Sequence, residues 1–159
     1  MTDSKRDMLR HCVATLAYRG AKVLRDAPAG FAAYRADDSP KTPADIVAHL
    51  GDLLDWSLAM ASGRPAWNNS PALDWDRGAA RFFKAMTAFD EYLASGEPMH
   101  VPEENLFQGP IADALTHVGQ LAMLRRMAGG PIRGENYFKA DIEAGRVGAD
   151  QKPPRQEFD

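Results

Sequence analysis

The stretch that decides the fold is Thr42-Pro43-Ala44-Asp45-Ile46-Val47-Ala48-His49-Leu50-Gly51-Asp52-Leu53-Leu54-Asp55-Trp56. It opens with a helix start signal. Thr42 can accept from the first free backbone amides, Pro43 suits the first helical position because its missing N–H would be unpaired there anyway, and Asp45 can bond back to the cap. From that start Ile46, Leu50, Leu53, Leu54 and Ala61 fall on one face, and Ser62-Gly63-Arg64-Pro65 ends the helix. Upstream, residues 4–25 carry Leu9, Val13, Leu16, Gly20, Val23 and Leu24 at helical spacing, with Arg6, Arg10, Arg19 and Lys22 mostly off that stripe. Downstream, residues 74–94 bring Phe82, Phe83, Met86, Phe89, Tyr92 and Leu93, and Gly96 terminates them. A fourth helix is predicted to begin at Gly109-Pro110 and to end at Gly129-Gly130-Pro131, with Ile111, Leu115, Val118 and Ala122 on its apolar line. Residues 66–73, with Trp67 and Pro71, are irregular and could cover one end of the core.

This pattern predicts an all-α protein, an antiparallel four-helix bundle over about residues 4–130 within one domain of residues 1–159. A short additional C-terminal helix is expected over residues 135–144. The segment from Gly145, with Pro153-Pro154, is expected to be extended or loose. No internal repeat or low-complexity tract interrupts the chain.

Composition narrows the function classes. In 159 residues, 45% are hydrophobic and 26% charged, which suits a packed globular core. The net charge of −3, from 22 acidic and 19 basic residues spread along the chain, leaves no basic face for a run of phosphates or an anionic bilayer. Neither nucleic acid nor membrane is an expected partner. No stretch approaches the roughly 18 apolar residues of a membrane span. The start, Met-Thr-Asp-Ser-Lys-Arg-Asp, lacks the apolar core of a secretion signal, and a lone Cys12 can form no internal disulfide. A cytoplasmic location is therefore expected. Glycine loops for nucleotides, a Gly-x-Ser-x-Gly elbow and paired-cysteine zinc motifs are all missing from the sequence. Cys12, among apolar neighbours, reads as a packing residue.

Four histidines remain: His11, His49, His100 and His117. Asp113 precedes His117 by four residues, which in a helix puts both on one face, where they could share a metal ion. With 22 acidic residues, four histidines and a cysteine in the chain, such a spacing arises by chance about half the time, so a plain Asp113–His117 surface hydrogen bond is the competing account. Both residues lie at the flank of their apolar stripe, and His49, in line with Trp56, lies at the edge of its own. Edge residues of two facing helices can converge on the groove between them. Taken alone, His49 is as well explained as an edge histidine bonded to backbone or to an acid. His49-Leu-Gly-Asp52 reverses the Glu-x-x-His order of dinuclear carboxylate bundles, and His100, between Pro98 and Pro102, reads as a solvated loop residue.

On residues 42–56 and on Asp-Ala-Leu-Thr-His-Val-Gly-Gln-Leu, residues 113–121, the sequence resembles the DinB/YfiT-like superfamily of four-helix metalloproteins. In that family a histidine on the second helix, followed by an aromatic residue, joins two ligands spaced by four on a later helix, the second followed closely by Gly-Gln. His49 and Trp56 match the first element; His117, Gly119, Gln120 and Leu121 match the second. Asp113 stands where the family most often has histidine. The resemblance thus implies a metal site of His49, Asp113 and His117, two histidines and one carboxylate, able to take zinc or nickel, with iron or manganese also compatible. It further implies a mononuclear enzyme acting on a small molecule, by transfer or isomerisation dependent on a low-molecular-weight thiol or by metal-assisted hydrolysis, and a homodimer. The alternative is a noncatalytic dimeric helical module with a structural or vestigial metal site.

Overall fold

A computed structural model describes residues 3–158; positions 1, 2 and 159, inside the expected domain span, lie outside the described residues. Among the described residues the regular structure is all helical. Asp3 caps α1 (Ser4–Leu24), its carboxylate accepting from the amides of Lys5 and Arg6. The Thr42–Asp45 capping box starts α2 (Pro43–Ala61): Asp45 N–H donates to Thr42 Oγ1 at 3.2 Å and Thr42 N–H to Asp45 Oδ2 at 2.8 Å. Asp74 caps α3 (Trp75–Ser95), and Gly96 ends it with φ of 78°, a left-handed turn that favours glycine. The last long helix comes in three pieces: α4 (Glu103–Leu106), a π-helical turn (Phe107–Ile111) and α5 (Ala112–Met127).

These helices close a ring of contacts, with α3 between α1 and α2, and α5 touching α2 and α1 on the other side. The interior of the ring is filled by Val13, Leu16, Leu50, Leu54, Phe82, Met86, Phe89, Ile111 and Leu121, all fully buried. α1 and α3 approach closely at Gly20, where a Cβ would lie 2.8 Å from the Phe82 ring. Phe82 is itself fully buried and has no space to retreat into. Gly20→Ala is therefore expected to lower stability. Overpacking costs about 1–3 kcal/mol, more than the roughly 0.5–1 kcal/mol that alanine adds in a helix. A melting temperature at or above that of the wild type would show that the two helices separate without cost.

Several sequence expectations are corrected. The fourth helix does not start at Gly109-Pro110; it begins at Glu103 and runs through the proline. In an α-turn the proline ring would strike the carbonyl four residues back. The wider turn relieves this, and Ala112 N–H donates to Phe107 O, five residues earlier. The buried line of α5 is Ala114, Val118, Leu121 and Arg125, with Leu115 and Ala122 only half-buried at its side.

The helix expected over 135–144 is reduced to one 3-10 turn, Tyr137–Lys139. Asn136 N–H is committed to Gln156 O at 3.0 Å and Phe158 N–H to Gly134 O at 2.8 Å, so Glu135 and Glu157 form an isolated antiparallel bridge instead of a helical turn. The tail is accordingly anchored rather than loose. Glu135 is buried against α1, where it accepts from the Tyr18 hydroxyl and from Lys22 Nζ at 2.6 Å, while Glu157 reaches the same ammonium at 3.0 Å. Lys22, expected off the apolar stripe, is thus 4% exposed. Burial works against its charge, but the two carboxylates outweigh that and raise its pKa. Tyr137 completes the clasp, edge-on to Tyr18 and beneath the Arg19 guanidinium.

Candidate metal centre

Three of the singled-out residues come together where α2 faces α5. His49 Nε2 lies 3.6 Å from Asp113 Oδ2, and His117 Nε2 lies 3.5 Å from Asp113 Oδ1. The two imidazoles meet edge to face, with centroids 4.7 Å apart. One ligand atom from each residue lies within 4.8 Å of the other two. Ligands about 2.0–2.2 Å from one ion sit about 3–3.5 Å apart in tetrahedral or octahedral geometry; Asp113 approaches the two imidazoles at 3.6 and 3.5 Å through different oxygens, and a set of one atom from each residue has to draw in from a spread of up to 4.8 Å. The donor set therefore fits a divalent ion.

The surroundings prepare the imidazoles to act as neutral nitrogen ligands. His117 Nδ1 is 2.7 Å from Gln120 Oε1. An amide oxygen only accepts, so in the tautomer with the proton on Nδ1 this contact is a hydrogen bond, and that tautomer leaves the Nε2 lone pair for an ion. His49 is held below the ordinary histidine pKa, chiefly by burial and next by the neighbouring His117, against the pull of Asp113. Trp67, from the irregular connection after α2, packs edge-on against His49 with centroids 5.7 Å apart and against Trp56 at the same distance. Trp67 thereby joins His49 to Trp56. Its role had no periodic signal in the sequence.

A polar network sets the position of this corner. Arg81 on α3 crosses α2 at Gly51, where a Cβ would sit 2.6 Å from its guanidinium. From there it donates to Ala48 O at 2.9 Å, Asp52 Oδ1 at 2.7 Å and Asp55 Oδ2 at 2.8 Å. Asp52 in turn accepts from Ser70 N–H at 2.9 Å and Ser70 Oγ at 2.7 Å, which ties down the connection carrying Trp67. Burial alone would raise the Asp52 pKa, but the Ser70 and Arg81 hydrogen bonds more than offset it and hold the carboxyl below the ordinary aspartate value. A depressed carboxyl stabilises the fold above its unfolded pKa, and that contribution disappears as pH falls through the folded value. Asp52→Asn is thus expected to cost about 1–2 kcal/mol at pH 7, with the gap to wild type shrinking below about pH 4. Urea titrations at several pH values read this directly, and a gap independent of pH would count against the network.

The remaining candidates stay apart. His100 is exposed, its ring over Gly63, and His11 is exposed on α1. Asp52 is fully engaged with Arg81 and Ser70. The Cys12 thiol is pushed up by burial, which disfavours the thiolate. Among the described residues no helix is long and apolar enough to cross a membrane. The chain matches no protein-family model, no curated protein and no solved structure.

Proposed function

We propose that the chain is an antiparallel four-helix protein of DinB/YfiT-like type that binds one divalent ion through His49, Asp113 and His117 and acts as an enzyme on a small molecule. The observation that carries this is the convergence of three ligand atoms from two helices to within 4.8 Å of one another, beside a cavity of about 470 Å³ that His49 and His117 help to line. Zinc and nickel suit two imidazoles and a carboxylate, and iron or manganese accept the same set. Three protein ligands leave positions open, as catalytic sites require.

A divalent ion held there supplies Lewis acidity toward a thiol, a water or an electrophile. The protein's own part is to fix the donors. Gln120 accepts from His117 in the tautomer that leaves Nε2 for the ion, Trp67 packs edge-on against His49, and the Arg81–Asp52 network holds the turn of α2 from which His49 projects. The chemistry we propose is transfer or isomerisation with a low-molecular-weight thiol, or hydrolysis, in a cytoplasmic homodimer. Exposed Met8 and Phe107 on neighbouring elements offer apolar surface for self-association.

A noncatalytic role has one observation in its favour: Asp113 already lies within 3.6 Å of both imidazoles, so α2 and α5 meet there without an ion. Elemental analysis of protein purified without added metal separates the two. About one equivalent of zinc, nickel, iron or manganese, followed by turnover of electrophiles with thiols, is expected. Protein that purifies without metal and takes up none would leave the helical link alone.

A further inference from the structure

The cavity beside the two imidazoles is one-sided in charge. Its lining includes no carboxylate, and its one formal charge is the Lys41 ammonium at the entrance to α2. That ammonium makes no hydrogen bond or ion pair among the described residues. Ile46, Met123, Leu124 and Pro40 give the same cavity an apolar wall. A second, smaller cavity of about 340 Å³ shares Pro40, Lys41 and His49, but its carboxylates are spoken for, Asp45 by the Thr42 cap and Asp52 by Arg81 and Ser70. Lys41 therefore borders both spaces with an ammonium that touches no carboxylate, Asp45 acting on it only at a distance, and it stands a few side chains from a proposed dication whose ligands include only one carboxylate.

We propose that this cavity takes a small carboxylic acid with an apolar chain, the carboxylate paired with Lys41 and the chain lying on Ile46, Met123 and Leu124. This rests on the proposed function for the ion, though not for the ammonium or the wall. A phosphate would call for amide nests or a bidentate arginine. The α2 capping box has already used the Thr42 and Asp45 amides, and no arginine lines the cavity. A single ammonium beside aliphatic side chains suits a monoanion with a hydrocarbon body.

Hexanoate is the probe, with hexanol and hexylammonium as neutral and cationic partners of the same length, titrated calorimetrically into wild type, Lys41→Met and Lys41→Arg at low salt, each with and without one equivalent of zinc. Wild type is expected to prefer hexanoate to both partners. Lys41→Met should weaken hexanoate by about fivefold and leave hexanol unchanged, while Lys41→Arg restores most of the difference. In about 1 M NaCl, where the screening length is about 3 Å, the difference should vanish. Lys41 is exposed, so both variants should fold and take up zinc as wild type does. Hexanoate binding no tighter than hexanol or hexylammonium, or insensitive to Lys41→Met because the ion alone captures the carboxylate, overturns the proposal. If wild type takes up no zinc, the metal function fails, while the titrations of metal-free protein still decide the role of Lys41.

Discussion

Alanine at any one of His49, Asp113 or His117 should lower affinity for a divalent ion by at least about 100-fold. Three ligands from two packed helices act as a unit, because each fixes the position the others need. Removing one leaves two donors around an ion whose hydration they no longer replace. In wild type, a metal at about 100 times its dissociation constant should raise stability by about 2.7 kcal/mol, and all three variants should lose that gain. Asp113→His is the discriminating change. If Asp113 is a ligand, a third imidazole should keep or raise zinc and nickel binding, since softer nitrogen donors suit both. If Asp113 merely bridges two histidines on the helix surface, the substitution should leave metal content where it was. An unchanged melting temperature with added metal, in wild type and His49→Ala alike, would sink the site.

Arg125→Met should unfold the protein more readily than any other charge removal. The Arg125 side chain is buried on α5 and donates to four backbone carbonyls: Gly130 O at 2.8 Å, Val23 O at 3.1 Å, Arg25 O at 2.7 Å and Asp26 O at 2.9 Å. Three of these belong to the end of α1 and the turn after it, where carbonyls lack helical partners. One guanidinium thus joins the end of α1 to the end of α5. Methionine keeps much of the volume but leaves those carbonyls buried and unmet, a loss of about 3 kcal/mol, or roughly 6–12 °C in melting temperature for a chain of this length. Arg125→Lys should recover less than half, because a compact ammonium cannot span the fork. A loss under about 1 kcal/mol in urea unfolding would mean that water replaces the guanidinium.

Much of this molecule was legible in the sequence because the signals were local. Thr42, Pro43 and Asp45 specify the start of α2 in four consecutive positions, and Gly96 marks the end of α3 by a left-handed backbone conformation that glycine adopts more freely than any other residue. The meeting of His49 with Asp113 and His117 was foreshadowed by their places at the edges of two apolar stripes. What the sequence concealed depends on distant partners. Lys22 has the charge of a surface residue, and only a tail more than 100 positions away brings Glu135 and Glu157 to it. Arg125 lies in the last turn of a helix, where basic residues commonly serve the helix dipole, and nothing local reveals that α1 ends against it. Trp67 sits in a stretch without periodicity. Pro110 misled because its preference for first helical positions is real but not exclusive.

The π-helical turn has one more consequence. Along this last helix the buried positions advance by three or four residues, Leu106 to Pro110 on one side and Ile111 to Ala114, Val118, Leu121 and Arg125 on the other, but within the wide turn two adjacent residues, Pro110 and Ile111, are both buried. The widened turn therefore holds a surplus residue without altering the phase of either flank, as an absorbed insertion does. Excision of Pro110 should remove the surplus and the ring that required the wide turn together. The remaining chain should close into an uninterrupted α-helix, with the aspartate and histidine still facing α2. Excision of Thr116, in the regular part of α5, should instead rotate everything beyond it by about 100° and turn the histidine away from its partner. The helix is thus tolerant of length change at one turn and intolerant of it a turn or two later.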